Sequence, residues 1–242
     1  MRTLAVIPAR LESSRLSRKM LRLLAGEPLV GLTYCAVRAA PFLNDIIVAT
    51  DSPEILELCR TRGWKACMTS GSHRSGTERV HEVSDQIAAD VYVNVQGDEP
   101  LVRPEQIATL LGVMALPGVQ VGTLKTAANV ADVGSSAAVK VVTESSGRAL
   151  YFSRAAIPFD RDGTSPTYFK HLGLYAYRKA ALDQFVRWPE SSLERSERLE
   201  QLRFLENGIP IHVAETPYDS IGVDTQDDVS RVEAILRERA KS

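Results

Sequence analysis

The stretch Leu4-Ala5-Val6-Ile7-Pro8-Ala9-Arg10 decides how the rest of the chain is read. Leu4–Ile7 is a short apolar run with no polar alternation, which predicts a strand buried on both faces, and the proline and arginine after it open a turn. The same rhythm recurs downstream. Ile46–Ala49, Ala66–Met68 and Val91–Val95 read as further short strands, while Leu29–Ala39, Pro53–Arg62, Gly76–Ala88 and Pro104–Met114 have the length and patterning of amphipathic helices. Pro104 stands at the first helical position that proline favours. Apolar strands separated by single helices predict a parallel sheet covered on both sides, so the first 115 residues form a doubly wound α/β unit.

Beyond that point the pattern changes. Val119–Leu124, Ala138–Thr143, Ala149–Phe152 and Gly173–Tyr177 read as strands without a helix between each pair, so the sheet becomes mixed or carries an antiparallel lobe. Helices resume at Lys179–Arg187 and Leu193–Glu206, the latter stopped by Gly208. A strand at Ile211–Ala214 and a helix at Gln226–Arg239 close the chain. There is no internal repeat and no long linker. At roughly 150 residues per domain, the 242 residues read as one domain over 1–242, mostly parallel, with a smaller mixed-sheet lobe inserted at about 125–185.

Charge and cysteine content exclude several functions. Twenty-nine Lys and Arg against thirty Asp and Glu leave a net charge of −1, without the basic footprint of a general nucleic-acid or anionic-membrane binder. Any polyanionic ligand must then be met by a local cluster of cations. Cys35, Cys59 and Cys67 make neither a disulfide framework nor a zinc site and read as buried small hydrophobes. Leu4–Ile7 is too short for a signal-peptide core, and no apolar run could span a bilayer, which places the chain in the cytoplasm with no membrane insertion.

In an open parallel sheet ligands gather beyond the carboxyl ends of the strands, so the turns there are where chemistry is sought. The turn after the first strand carries Arg10, Arg15, Arg18 and Lys19. Arginine forks match phosphate oxygens bidentately and lysine adds a movable point charge, so the cluster reads as a triphosphate clamp or as a solvated basic loop. It is neither a Walker loop nor a dinucleotide fingerprint. The strand Val91–Val95 runs into Gln96-Gly97-Asp98-Glu99-Pro100, which sets carboxylates at the sheet edge where hard oxygen ligands suit magnesium, although Gly-Asp is also ordinary turn chemistry. Gly222-Val223-Asp224-Thr225 presents another acid just before a helix, where either Asp224 or Thr225 could serve as the N-cap. Cations on one loop and acids on two others fit together if a metal-bound polyphosphate lies between them.

These residues, with several others, resemble the 3-deoxy-manno-octulosonate cytidylyltransferase family. Ile7-Pro8-Ala9-Arg10, Ser14-Arg15-Leu16 and Lys19 are similar to its nucleotide loop. Thr50-Asp51, Ser75-Gly76-Thr77-Glu78-Arg79, Val93-Asn94-Val95-Gln96-Gly97-Asp98-Glu99-Pro100, Ala138–Val142, Ala149–Arg154, His171-Leu172-Gly173 with Tyr175, Leu199–Arg203 and Gly222–Thr225 follow in order, spanning residues 4 to about 232. The resemblance implies a fold of the nucleotide-diphospho-sugar transferase type, a homodimer, and attack by the anomeric hydroxyl of an octulosonate on the α-phosphate of CTP. It assigns Pro8, Ala9, Arg10, Arg15, Lys19, Ser75, Gly76 and Arg79 to CTP, and Asp98 and Asp224 to Mg2+, with Lys19, Asp98 and Asp224 as the catalytic set. The sugar acid falls to Gln96, Arg154, His171, Tyr175, Glu197 and Gln201. Read alone, Glu197 and Gln201 are four apart on one helix and share a face, and His171 precedes a strand.

The chain departs from the family where Arg-Leu-Pro-Gly-Lys-Pro-Leu usually runs, having Arg15-Leu16-Ser17-Arg18-Lys19-Met20-Leu21 instead. Loss of two prolines and a glycine leaves that loop less pre-set. Two other readings keep the residues but change the outcome. One is a CTP-dependent enzyme for a related acid, such as an 8-amino octulosonate or sialic acid. The other is a nucleotide-binding regulator without catalysis, against which the retention of Lys19, Asp98 and Asp224 argues.

Overall fold

The computed structural model describes residues 1–12 and 16–239. In chain order its elements begin with β1 (Thr3–Ala9), a single 3-10 turn (Lys19–Leu21), the hairpin β2 (Leu23–Leu24) and β3 (Glu27–Pro28), and α1 (Leu29–Arg38). They continue with β4 (Asp45–Thr50), α2 (Pro53–Thr61), β5 (Ala66–Met68), α3 (Gly76–Gln86), β6 (Val91–Asn94) and α4 (Pro104–Met114). The second half holds β7 (Val121–Ala127), α5 (Val130–Gly134), β8 (Lys140–Thr143), β9 (Ala149–Ser153), β10 (Phe169–Tyr177), α6 (Lys179–Phe185), α7 (Ser192–Glu197), α8 (Leu202–Glu206) and β11 (Ile211–Glu215). Helix α9 (Gln226–Arg239) comes last. The chain forms two compact units, Met1–Ala108 together with the chain from Ser220, and Thr109–Asp219.

In the first unit β1 pairs in parallel with β6 on one side and β4 on the other, and β4 pairs in parallel with β5. All seven residues of β1 are buried, so both faces of this strand are covered, as its unbroken apolar pattern predicts. Local chemistry starts the helices: the Ser52 hydroxyl accepts from Ile55 N with Pro53 in the first turn of α2, and the Ser75 hydroxyl accepts from Glu78 N at the start of α3. Helix α9 is brought back by apolar packing. Val223, Val229 and Val232 join Leu16, Leu24, Leu29 and Leu101 in one buried cluster, which carries the segment before α9 to the carboxyl edge of the sheet.

In the second unit β7 lies between β11, parallel to it, and β10, antiparallel to it; β8 pairs antiparallel with both β10 and β9. This is the mixed sheet expected from strands without intervening helices. The unit contains the span, about 125–185, in which the sequence places an inserted lobe.

Three readings of the sequence are corrected and one helix is added. Cys35, read as a buried small hydrophobe, is exposed, and Cys67 is half-buried. The helix expected over Leu193–Glu206 is two, α7 and α8, because Arg198 adopts a left-handed conformation with φ 55° and ends the first. Glu197 and Gln201 therefore do not share a helical face. His171 lies inside β10 rather than before a strand, since β10 starts at Phe169 and irregular pairing between Leu172 and Tyr175 absorbs Gly173. The short helix α5 goes unread because its signal is only a capping box between Asn129 and Asp132 on five residues.

Candidate active site

The carboxyl edge of the first unit gathers Lys19, Asp98 and Asp224. Gly97 makes the turn after β6. Its N–H donates to Pro8 O at 3.2 Å, and its carbonyl accepts from Thr33 Oγ1 at 2.8 Å. A Cβ at this position would stand 2.8 Å from Pro8 O and 2.9 Å from Met20 Sδ, so only glycine lets the turn approach β1 this closely. Met20 takes a place where the family usually has proline, and its buried thioether packs against the turn that presents Asp98.

Asp98 and Asp224 converge on Lys19. Lys19 Nζ donates to Asp98 Oδ2 at 2.5 Å and to Asp224 Oδ1 at 2.9 Å. Burial works to lower the Lys19 pKa, but the two carboxylates outweigh it and hold the ammonium above its ordinary value. Lys19 is 8% exposed on its side chain, Asp98 23% and Asp224 46%, so the cluster opens to water on the Asp224 side. The two distances to one nitrogen limit the separation of these carboxylate oxygens to about 5.4 Å. A magnesium ion, with oxygen ligands at about 2.1 Å, needs them within roughly 4.2 Å. Two carboxylates brought to one point are a donor set that fits the ion.

The choice between Asp224 and Thr225 as helix cap falls to Thr225. Thr225 Oγ1 accepts from Asp228 N at 3.2 Å, while Asp228 accepts from the N–H groups of Asp224 at 3.1 Å and Thr225 at 2.8 Å. This reciprocal box keeps the Asp228 pKa low against the effect of burial, and it leaves the Asp224 side chain for Lys19.

The cationic loop divides its charges. Arg10 is exposed, and Arg18 forms an ion pair with Glu54 of α2. Arg18 has φ 53°, so the residue standing where the family usually carries glycine keeps the backbone conformation that glycine suits. Arg15 lies outside the described residues.

Around the start of α3 the candidate base-binding residues meet. A Cβ on Gly76 would stand 2.9 Å from Gln96 Nε2, so the helix start and the Gln96 amide are in close approach. Arg79 is buried and donates to Thr69 Oγ1 and, at 2.8 Å, to Asp51 Oδ2. Asp51 Oδ1 in turn accepts from Leu11 N at 3.2 Å. Arg79 thus braces the loop after β1 through Asp51. Asp51 and Thr33 carry contacts that no spacing signal in the sequence marks.

The second unit groups the remaining candidates. Glu197 accepts from Ser153 Oγ at 2.6 Å and from Arg154 N at 2.9 Å. The Arg154 guanidinium donates to the carbonyls of Glu197 and Ser136 at 2.8 and 2.9 Å. His171 Nε2 is 2.9 Å from Thr123 Oγ1, and its ring lies against Phe152 and Tyr175. Burial drives the His171 pKa down to about 3, so its imidazole is neutral at physiological pH. Tyr175 is buried and its hydroxyl pKa is pushed up, chiefly by desolvation. Gln201 is buried with its Nε2 unpartnered.

A strand-turn edge at which two acids share one lysine fits a nucleotidyl-transfer class of protein, and comparison with known proteins agrees. The family model described as "Cytidylyltransferase" matches residues 4–214. A 3-deoxy-manno-octulosonate cytidylyltransferase of Koribacter versatilis is 62% identical over 98% of this chain and 91% of its own length. One from Acidobacterium capsulatum is 53% identical over 98% of each. A solved structure of CMP:2-keto-3-deoxy-manno-octonic acid synthetase complexed with CTP superposes with a TM-score of 0.95 at 39% identity, covering 99% of this chain and all of that one. A 4-diphosphocytidyl-2C-methyl-D-erythritol synthase structure from Anaerococcus prevotii, at 16% identity and a TM-score of 0.65 over 98% of this chain and 96% of that one, shares the fold. The chain belongs to the 3-deoxy-manno-octulosonate cytidylyltransferase family. Among its described residues no helix is long and apolar enough to cross a membrane.

Proposed function

We propose that this chain is a magnesium-dependent cytidylyltransferase that joins CTP to 3-deoxy-D-manno-octulosonate, giving CMP-octulosonate and pyrophosphate. The observation that carries the reading is the convergence of Asp98 and Asp224 on the Lys19 ammonium. Its product is an activated sugar acid for lipopolysaccharide synthesis, made in the cytoplasm by a homodimer; these last points follow family likeness alone.

In the reaction the anomeric oxygen of the sugar acid bonds to the α-phosphorus of CTP while the bond to the bridging oxygen of the leaving pyrophosphate breaks. Asp98 and Asp224 would hold a magnesium ion, which would neutralise charge at the phosphate and favour loss of the attacking hydroxyl's proton to water. The chain's own residues do the positioning. Lys19 is the cation between the two acids, and on nucleotide binding its Nζ turns from them to the triphosphate, where Arg10 and Arg15 add guanidinium forks. Gly76 offers a close approach to the nucleoside, and Ser75 and Arg79 support that edge through the α3 cap and the brace to Asp51. Pro8 and Ala9 line the end of β1. By family likeness the second unit offers Arg154, His171, Tyr175, Glu197 and Gln201 to the sugar acid and the first unit Gln96; a neutral His171 acts as a hydrogen-bonding group rather than as a cation. Work of this kind is orientation and electrostatic stabilisation.

Pyrophosphate release with CTP, UTP, ATP and GTP against octulosonate, its 8-amino analogue and sialic acid tests the reading. CTP with octulosonate should turn over only with magnesium. Comparable turnover of UTP with a neutral hexose 1-phosphate would overturn it, and a monomer by light scattering would reject the dimer.

A further inference from the structure

We infer that Glu99 is a positioning residue that holds Asp224 beside Asp98 by way of Ser220, an inference that rests on the proposed task of those two acids. Asp98 and Glu99 are neighbours in one turn, yet the fold sends their carboxylates to different partners. Asp98 takes Lys19, whereas Glu99 Oε2 accepts a hydrogen bond from the Ser220 hydroxyl. A second stitch joins the same two segments, because Val223 N donates to Asp98 O at 2.9 Å. Between the stitches the Glu99 carboxylate lies along Gly222: a Cβ there would be 3.5 Å from Glu99 Oε1.

The consequence is geometric. Asp224 follows directly on the second stitch, and on its other side the Thr225–Asp228 box fixes the start of α9. Its backbone is thus clamped before and after. The apolar cluster of Val223, Val229 and Val232 sets the segment down in the right region, but such packing is non-directional and does not fix a carboxylate to within a fraction of an ångström. Hydrogen bonds do so, and the bond from Ser220 to Glu99 ties the two segments side chain to side chain. A carboxylate also holds a hydroxyl donor more strongly than a neutral acceptor would.

The test compares Glu99→Ala, Glu99→Gln and Ser220→Ala with Asp224→Asn and the parent enzyme. Mn2+ binding to the enzyme in the presence of CTP is read by electron paramagnetic resonance, and steady-state rates are read against Mg2+, CTP and octulosonate. Glu99→Ala and Ser220→Ala should each weaken Mn2+ binding about tenfold and raise the half-saturating Mg2+ by a similar factor, with KM for octulosonate changed less than twofold. Glu99→Gln, which retains an acceptor, should recover most of the loss, and the double variant Glu99→Ala/Ser220→Ala should be no worse than either single one. A Glu99→Gln as damaging as Glu99→Ala would make Glu99 a metal ligand and overturn the inference. Unchanged Mn2+ binding in Ser220→Ala, with Asp224→Asn impaired, would also overturn it while sparing the site. If Asp224→Asn itself left Mn2+ binding unchanged, the fault would lie in the proposed site. Should Glu99→Ala fail to fold, Ser220→Ala, which removes only the donor, decides the question.

Discussion

Replacing Gly97 by alanine tests how the site is built, because the added methyl has nowhere to go. It would sit 2.8 Å from Pro8 O and 2.9 Å from Met20 Sδ, against a carbon contact distance of about 3.5 Å. Pro8 O belongs to β1, buried and held by neighbouring strands, and it already accepts the Gly97 N–H, so it cannot retreat without loosening the sheet edge. Met20 is a flexible side chain and can turn aside. Overpacking of this kind costs about 1–3 kcal/mol, and since Asp98 is the next residue, a displacement of even half an ångström should lower turnover on the order of tenfold. Met20→Ala alone should cost about 2–5 kcal/mol as a buried truncation. In the double variant the two losses should sum to about 1 kcal/mol more than the loss observed, because one of the two clashes has been removed. Urea unfolding of the four proteins with parallel pyrophosphate-release assays measures both quantities. Additivity within about 0.3 kcal/mol, or a Gly97→Ala cost below about 0.5 kcal/mol, would refute the close approach.

Asp224→Asn and Thr225→Ala should separate chemistry from capping. The first should lower turnover on the order of 100-fold while changing stability by less than about 1 kcal/mol, and the second should cost about 1 kcal/mol with turnover within threefold; similar kinetic profiles would show the roles to be misassigned. His171 makes stability pH-dependent. Its folded pKa of about 3 lies below the ordinary 6.5, so the unfolded chain takes up a proton that the folded chain refuses. The contribution is complete above about pH 6.5 and is lost toward pH 3 at up to about 1.4 kcal/mol per pH unit; urea titrations at several pH values should show a slope that His171→Asn flattens. Arg18→Gly should leave stability within about 1 kcal/mol, because relief of the left-handed conformation offsets the lost Glu54 ion pair and the added unfolded-state freedom, and it should keep most activity. A loss of activity as large as that of Lys19→Met would place Arg18 on the triphosphate.

Which residues gather at the candidate site is legible wherever the signal is local. The apolar run at Leu4–Ile7 announces β1, and the Gly97-Asp98 turn falls at the end of a strand, where parallel sheets bind ligands. Motif order then selected Lys19 and Asp224. Where a reading failed, the competing effect was conformational. Arg198 in a left-handed conformation splits the expected helix and turns Glu197 toward Ser153 and Arg154 instead of leaving it in register with Gln201. No composition or periodicity reports a single φ reversal at an arginine.

The amino-acid sequence by itself determined the alternation of buried strands and helices, the local charge cluster in a chain of near-zero net charge, and the family, because periodicity, charge and motif spacing are properties of neighbouring residues. Only the tertiary structure decided that Asp98 and Asp224 meet on one ammonium, that Thr225 rather than Asp224 caps α9, and that Glu99 faces Ser220. The first and last of these join residues far apart in the chain, and the cap falls to Thr225 while the distant Lys19 takes the Asp224 side chain; partners at such range follow from how the core packs, which local pattern does not encode.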